Sequence, residues 1–173
     1  MQILLITGMP GSGKEEFLKV AIDLGIDFLR MGDLVREYHG ISGESVSVGE
    51  FASLERSRHG PGIWAERAVE RMKGELFLID GCRSFDEVRE FRKLSSNVKI
   101  IAIHSPPDLR YERLLKRQRA DAPVNKEEFD ARDNRELSWG LGNVIALADI
   151  VIDNSYSLDD FQSESEKILK AIK

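Results

Sequence analysis

"QILLITGMPGSGKEEFLKV", residues 2–20, decides the fold. It opens on the apolar run Ile3 to Ile6, turns through Gly8, Gly11 and Gly13, and continues with helical spacing. A buried strand, a glycine-rich turn and a helix in direct succession make a phosphate-binding loop, and Gly8 to Lys14 has its spacing, G-x-x-x-x-G-K. The glycines let backbone N–H groups turn inward with no side chain in the way. Met9, Pro10 and Ser12 complete the cradle, and the positive end of the next helix faces the same point. Lys14 is placed to reach the β and γ phosphates of ATP as a point charge.

The position after Lys14 departs from the pattern. A Ser or Thr there donates a neutral oxygen to magnesium, and this chain has Glu15. A carboxylate about 5 Å from a phosphate, at an effective dielectric near 20, is disfavoured by roughly 3 kcal/mol. Three readings are open: Glu15 ligates Mg²⁺ directly, it swings outward and water takes its place, or it is an acid that suits a helix N-terminus.

Outward from this stretch, four further short apolar runs follow, at 76–79, 98–103, 149–152 and, more weakly, 26–31. They do not alternate, which is how parallel strands covered on both faces read. Helical patterns lie between them: 15–24 ending at Gly25, 85–94 after the N-cap candidate Ser84, 107–119 opening on Pro107, and 158–172 after Ser157. The alternation predicts one α/β domain with a parallel sheet. Two stretches break the rhythm. Residues 40–62 carry five glycines and 118–128 are polar; both read as binding loops or lids.

The bulk properties agree. With 173 residues, 42% hydrophobic and 32% charged, the chain suits one globular core. The net charge of −5 speaks against a general nucleic-acid binder. No apolar run is long enough to span a bilayer. Met1 leads straight into the first strand with no leader pattern. A single cysteine, Cys82, leaves no internal disulfide, so a cytoplasmic setting is expected. Cys82 lacks a paired His and reads as inert. His39, His59 and His104 have no metal-ligand spacing. Trp64 and Trp139 read as packing residues.

Three other segments carry candidate chemistry. In "RMGDLVRE" (30–37), Asp33 can cap a helix, and Arg36 could hold an acceptor phosphate or lie on a solvated face. In "LFLIDGCRSFDE" (76–87), Asp80 ends a strand, where an acid can hold magnesium or orient a hydroxyl, and Arg83 follows in the turn. Residues 110–136 are dense in arginine. Arg113, Lys116, Arg117 and Arg119 crowd one helix end, and Arg132 and Arg135 follow. Such cations could close over transferring phosphates, or could serve the helix end and the i,i+4 pairs Glu112–Lys116 and Glu128–Arg132. The polar turn at Asn154 could present backbone to a nucleotide base.

Taken together, "LLITGMPGSGK", "MGDLVRE", "IDGCRS", "IAIHSPPDLRYERLLKR" and "ELSWGLGNVIALADIVIDN" are similar to the archaeal adenylate-kinase-related family of phosphate-loop proteins. The resemblance covers nearly the whole chain. Broader kinship runs to nucleoside monophosphate kinases, through "GDLVR", and to dephospho-coenzyme A kinases, through "ADIVIDNSYSLDDF". It implies a P-loop NTPase fold: a five-stranded parallel sheet ordered 2-3-1-4-5, helices on both faces, an acceptor-binding insertion at about 33–73 and an Arg-rich lid at about 117–135. It implies ATP with Mg²⁺ as cofactor and a small phosphorylated acceptor such as AMP. ATP is then expected at Gly8 to Glu15, Arg113, Arg117 and Asn154, and the acceptor at Gly32, Asp33, Arg36 and Arg83. Lys14, Asp80, Arg117 and Arg132 are expected to be catalytic, with the metal at Glu15 and Asp80. The oligomer is expected to be a monomer or homodimer. Two departures stand out: Glu15, and the Asp-to-Arg spacing of "DGCRS", one residue shorter than in the "DGFPR" of adenylate kinases. A hydroxyl acceptor like dephospho-coenzyme A is an alternative within the enzymes. A nucleotide-binding regulator with little turnover is the rival outside them.

Overall fold

The computed structural model describes residues 1–117 and 122–173. Five strands form one parallel sheet: β1 (Gln2–Thr7), β2 (Asp27–Arg30), β3 (Leu76–Asp80), β4 (Asn97–His104) and β5 (Ile150–Asp153), in the order β2-β3-β1-β4-β5. This is the expected order. Arg30 lies opposite Asp80, and Asp80 opposite Ile6 of β1, so the chemical ends of three strands meet at one edge. That edge is the carboxyl end of the sheet, where open α/β sheets bind ligands.

Side chains alternate across the sheet. Ile3 and Leu5 of β1 point to one face and Leu4 and Ile6 to the other, and all four are fully buried. The first face packs against Met31 and Leu34 of α2 (Met31–Ser42), Phe51 of α3 (Val48–His59) and Trp64 of α4 (Ile63–Val69). Phe91 of α5 (Phe85–Leu94) and Val144 of α8 (Leu141–Ala146) join the same face. The second face packs against Phe17, Leu18 and Ala21 of α1 (Lys14–Asp23) and Phe161 and Leu169 of α9 (Leu158–Ile172). Each large apolar side chain so buried contributes about 1.5–3 kcal/mol.

Helix ends follow the capping rules closely. Ser84 and Ser157 each accept a hydrogen bond from the N–H three residues on, at 3.2 and 3.1 Å. Gly25 takes a left-handed φ of 69° just past α1. Two expectations are corrected. Asp33 does not cap α2. The helix starts directly from β2 with Arg30 at the cap position, and Asp33 falls in its first turn. The helix expected over 107–119 is α6 (Pro107–Lys116), with Arg117 at its C-cap; Arg119 lies outside the described residues.

The first interrupting stretch, 40–62, is largely helical; of the described residues in the second, only 126–128 are. Within 40–62, α3 starts from a capping box of Ser47 and Glu50 and buries Phe51 against Trp64. At the end of the second, α7 (Lys126–Ser138) starts from the N-cap Asn125. Among the described residues no helix is long and apolar enough to cross a membrane.

Candidate active site

The phosphate loop is held from behind. The Ser12 carbonyl accepts from Asn154 Nδ2 at 2.9 Å, and Ser105 Oγ lies 3.2 Å from it. Arg113 fixes this support by donating to Ser105 Oγ at 2.8 Å and to the Asn154 carbonyl at 2.9 Å. Arg110, buried, donates to the Pro10 carbonyl at 3.0 Å and grips both Asp133 oxygens, at 3.0 and 2.6 Å. It thereby ties α7 to the loop. Glycine is sterically required at all three loop positions: at Gly8, φ 146°, a Cβ would stand 2.4 Å from the Ile103 carbonyl. Gly13 has φ 111°, and a Cβ there would stand 2.1 Å from Asn154 Nδ2. Gly11 has φ 81°, and its Cβ would stand 2.7 Å from the Arg110 carbonyl.

Lys14 begins α1 and folds back over the loop. Its Nζ donates to the Gly8 carbonyl at 2.6 Å and to that of Met9 at 3.3 Å. Burial pushes its pKa down, and the carboxylates of Asp80 and Glu136 pull part of the way back. A phosphate arriving here would restore the charge that burial disfavours.

Asp80 closes β3 beside Lys14. Burial pushes its carboxyl pKa up, partly offset by Lys14, Arg83 and Arg30. Its Oδ1 is buried and has no hydrogen-bond partner. Such an atom needs an explanation, and a hard cation or a cation-bound water supplies one. Among the described residues no group of three or more His, Cys, Asp or Glu could hold a metal alone. Magnesium keeps several waters and takes phosphate oxygens, so one or two carboxylates suffice. The residues present therefore fit Mg²⁺ with a nucleotide.

Glu15 does not point freely at the loop. Its Oε1 accepts from Arg30 Nη2 at 2.8 Å, across the gap between α1 and the end of β2. On the other side of Asp80, Arg83 donates to Glu136 Oε2 of α7 at 2.6 Å and to the Gly81 carbonyl at 2.9 Å. Burial opposes the Arg83 charge, but Glu136, Glu87 and Asp80 together raise its pKa. Burial likewise opposes the Glu136 charge, and Arg83 holds that carboxyl below its usual range. Trp139 packs against the core as expected, and Arg56 and Arg83 also lie 4.5 and 5.8 Å from its ring centre.

All of this surrounds one cavity of about 680 Å³. Its floor is the phosphate loop, with Gly8, Pro10, Gly11, Gly13, Lys14 and Glu15 on its surface. Gly32, Arg36, Asp80, Arg83, Arg113, Arg117, Arg132 and Asn154 line it as well. Met9 and Ser12 serve through their carbonyls instead. Asp33 is not brought in: it is exposed and pairs with Arg36 on the surface of α2. The Asn154 side chain is given to the loop, so its amide supports the cradle. Cys82 is buried, and burial drives its thiol pKa well up, in keeping with an inert residue.

A family model described as an AAA domain matches residues 7–130. The UPF0200 protein of Thermoplasma volcanium is 47% identical over 171 residues, covering 96% of each chain. The chain belongs to the UPF0200 family. Another member, from Sulfurisphaera tokodaii, is 44% identical and covers 99% of this chain and 98% of its own. Among solved structures, shikimate kinase from Acinetobacter baumannii in complex with shikimate aligns with a TM-score of 0.63 at 13% identity. It covers 99% of this chain and 93% of that one. A gluconokinase from Sinorhizobium meliloti aligns with a TM-score of 0.62 at 12% identity, with the same coverage. At these identities the likeness shows the fold: a P-loop kinase-like α/β domain.

Four residues of this UPF0200 chain escaped the sequence reading. Arg30 and Glu136 line the cavity, and Arg110 and Asp133 lock α6 to α7. Arg110 opens the arginine-dense run, and its burial was the missing information. Arg30 opens the segment "RMGDLVRE" but was given no role there, and only the register of β2 beside β3 shows that it faces Glu15.

Proposed function

We propose that this chain is a small-molecule kinase that transfers the γ-phosphoryl group of ATP to a nucleoside monophosphate such as AMP. The observation that carries the reading is the convergence in one cavity of Lys14, Asp80 and arginines from four different segments: Arg36, Arg83, Arg113 with Arg117, and Arg132. Such a site suits phosphoryl transfer, which needs positioning and charge stabilisation more than covalent chemistry.

ATP lies with its phosphates in the loop, held by backbone N–H groups and Lys14. The acceptor phosphate lies toward Gly32, Arg36 and Arg83. Planar guanidinium forks suit a compact dianion. Asp80 holds and orients through its unpaired Oδ1. Magnesium, when bound with the nucleotide, supplies neutralisation of phosphate charge. Arg117 and Arg132 stabilise charge on the transferring group. Residues 33–73 act as the acceptor-binding insertion and 117–135 as the lid.

A hydroxyl acceptor of the dephospho-coenzyme A kind is the second reading. It is favoured by the Arg83–Glu136 pair, which leaves Arg83 partly neutralised. The test is a panel of AMP, CMP, dAMP and dephospho-coenzyme A, with binding by calorimetry and ADP formation from Mg·ATP. AMP-dependent ADP formation supports the first reading. Turnover with dephospho-coenzyme A alone supports the second. Tight AMP binding with no ADP formed would overturn both and point to a nucleotide-binding regulator.

A further inference from the structure

We infer that Arg30 is a positioning residue that holds the Glu15 carboxylate aside and cancels its charge, so that an acid can occupy the metal-side position of the phosphate loop without expelling a polyphosphate. The inference rests on the proposed nucleotide site.

The geometry is specific. Glu15 follows Lys14 at the start of α1, and Arg30 is the last residue of β2. Their side chains meet at 2.8 Å, both about one-third exposed, at 31% and 29%. Both line the cavity that contains the loop. Arg30 is itself braced. Its guanidinium stacks over Phe28, 5.1 Å from the ring centre, and its backbone is paired to Asp80 of β3. Its Nε is buried without a hydrogen-bond partner. So braced, Arg30 keeps its charge fixed beside Glu15, a placement that suits a task at the site.

The electrostatics supply the task. A free Glu15 carboxylate would add a negative charge beside a ligand that carries several. Paired with Arg30, the two side chains sum to zero. A Ser or Thr at this position would be neutral as well, so the pair reproduces the net charge of the usual residue with two groups. Arg30 also adds an attractive charge beside Asp80, which burial disfavours as an anion. Losing Arg30 would leave Glu15 and Asp80 facing the same polyphosphate with less compensation.

The experiment measures ATP binding by calorimetry in EDTA and then across a magnesium titration. The proteins are wild type, Arg30→Met, Arg30→Lys, Glu15→Gln and the double variant Arg30→Met/Glu15→Gln. Removing the Arg30 charge from beside Glu15 should weaken metal-free ATP binding of Arg30→Met by about 10- to 100-fold. The added Glu15→Gln should recover most of that loss. Glu15→Gln alone should bind metal-free ATP at least as tightly as wild type, because Arg30 then keeps an uncancelled charge. Arg30→Lys, which preserves charge, should stay closer to wild type than Arg30→Met. A purely structural role for Arg30 would lower the melting temperature without this sign pattern. If Arg30→Met does not fold, the tightening by Glu15→Gln carries the test, and weaker binding there overturns the inference. Equal binding by Arg30→Met and wild type overturns it too, as does a double variant no tighter than Arg30→Met. A wild-type protein that binds no ATP at all fails at the earlier step and removes the nucleotide site itself.

Discussion

Replacing Asp80 by Asn should make the ligand-free protein more stable while disabling the site. Asp80 Oδ1 is buried and unpaired. Burial raises the carboxyl pKa above its ordinary 3.8, against the pull of Lys14, Arg83 and Arg30. With the folded pKa raised, the charged form is disfavoured in the folded state at neutral pH. That penalty is absent below the unfolded pKa, where both states are protonated, and grows in as pH rises through the interval up to the folded pKa. An unsatisfied buried polar atom costs about 1–3 kcal/mol. Asn keeps an oxygen in place and removes the charge, so part of that penalty remains. The net gain should be about 1 kcal/mol, or roughly 2–4 °C in Tm for a protein of this size. Thermal melts of both proteins at pH 7 and near pH 4 provide the assay, with ATP titrations in EDTA and in magnesium beside them. The gain should shrink on acidification. Metal-free ATP binding should persist, and its magnesium response should fall. A loss of stability at pH 7, or a gain of equal size at both pH values, would refute the reasoning.

Other positions give sharper single readouts. Lys14→Ala should weaken ATP binding by about 2–4 kcal/mol, because its contacts are charge-assisted; calorimetry showing unchanged affinity would remove the phosphate-loop assignment. Gly13→Ala forces a left-handed residue into Asn154 and should cost about 2–4 kcal/mol in urea unfolding, from backbone strain and a lost hydrogen bond. Arg83→Ala should raise the acceptor KM with a smaller effect on ATP affinity, and an ATP defect of equal size would count against its acceptor role. Glu136→Ala strands the Arg83 charge and should destabilise by about 3–5 kcal/mol at pH 7. Because Arg83 holds the Glu136 carboxyl below 4.5, that loss should fade as pH drops through the carboxylate range, measured by unfolding at pH 7 and pH 3.5.

What was legible in the sequence was local. The β1–loop–α1 unit needs only neighbouring residues, and α5 and α9 announce themselves by Ser84 and Ser157. β2 was faint because it is an edge strand, partly exposed, with Asp27 and Arg30 at its ends. α3 was hidden for a different reason: its buried side includes Glu55, which reads as solvent-facing until Arg67 is seen 2.6 Å away. Most of the cavity's cations, though not Arg30, were legible because arginines cluster at strand and helix ends. Their partners were not found. Arg83 and Glu136 are 53 residues apart, and Arg30 meets Glu15 only through strand register. No spacing rule reaches that far. Asp33 was misplaced because a cap residue and a first-turn acid look the same until the start of α2 is known.

The bond from Asn154 to Ser12 joins residues 142 positions apart. The shape of the phosphate loop therefore depends on a side chain near the end of the chain. During synthesis, the glycine-rich segment emerges first and waits. It stays without its rear brace until β5 has left the ribosome and docked beside β4. A nascent chain stopped before residue 154 would carry every letter of the nucleotide motif and lack the support that shapes it. Long-range closure of this kind is slow, so the rear brace of the loop is expected to be among the later contacts to form.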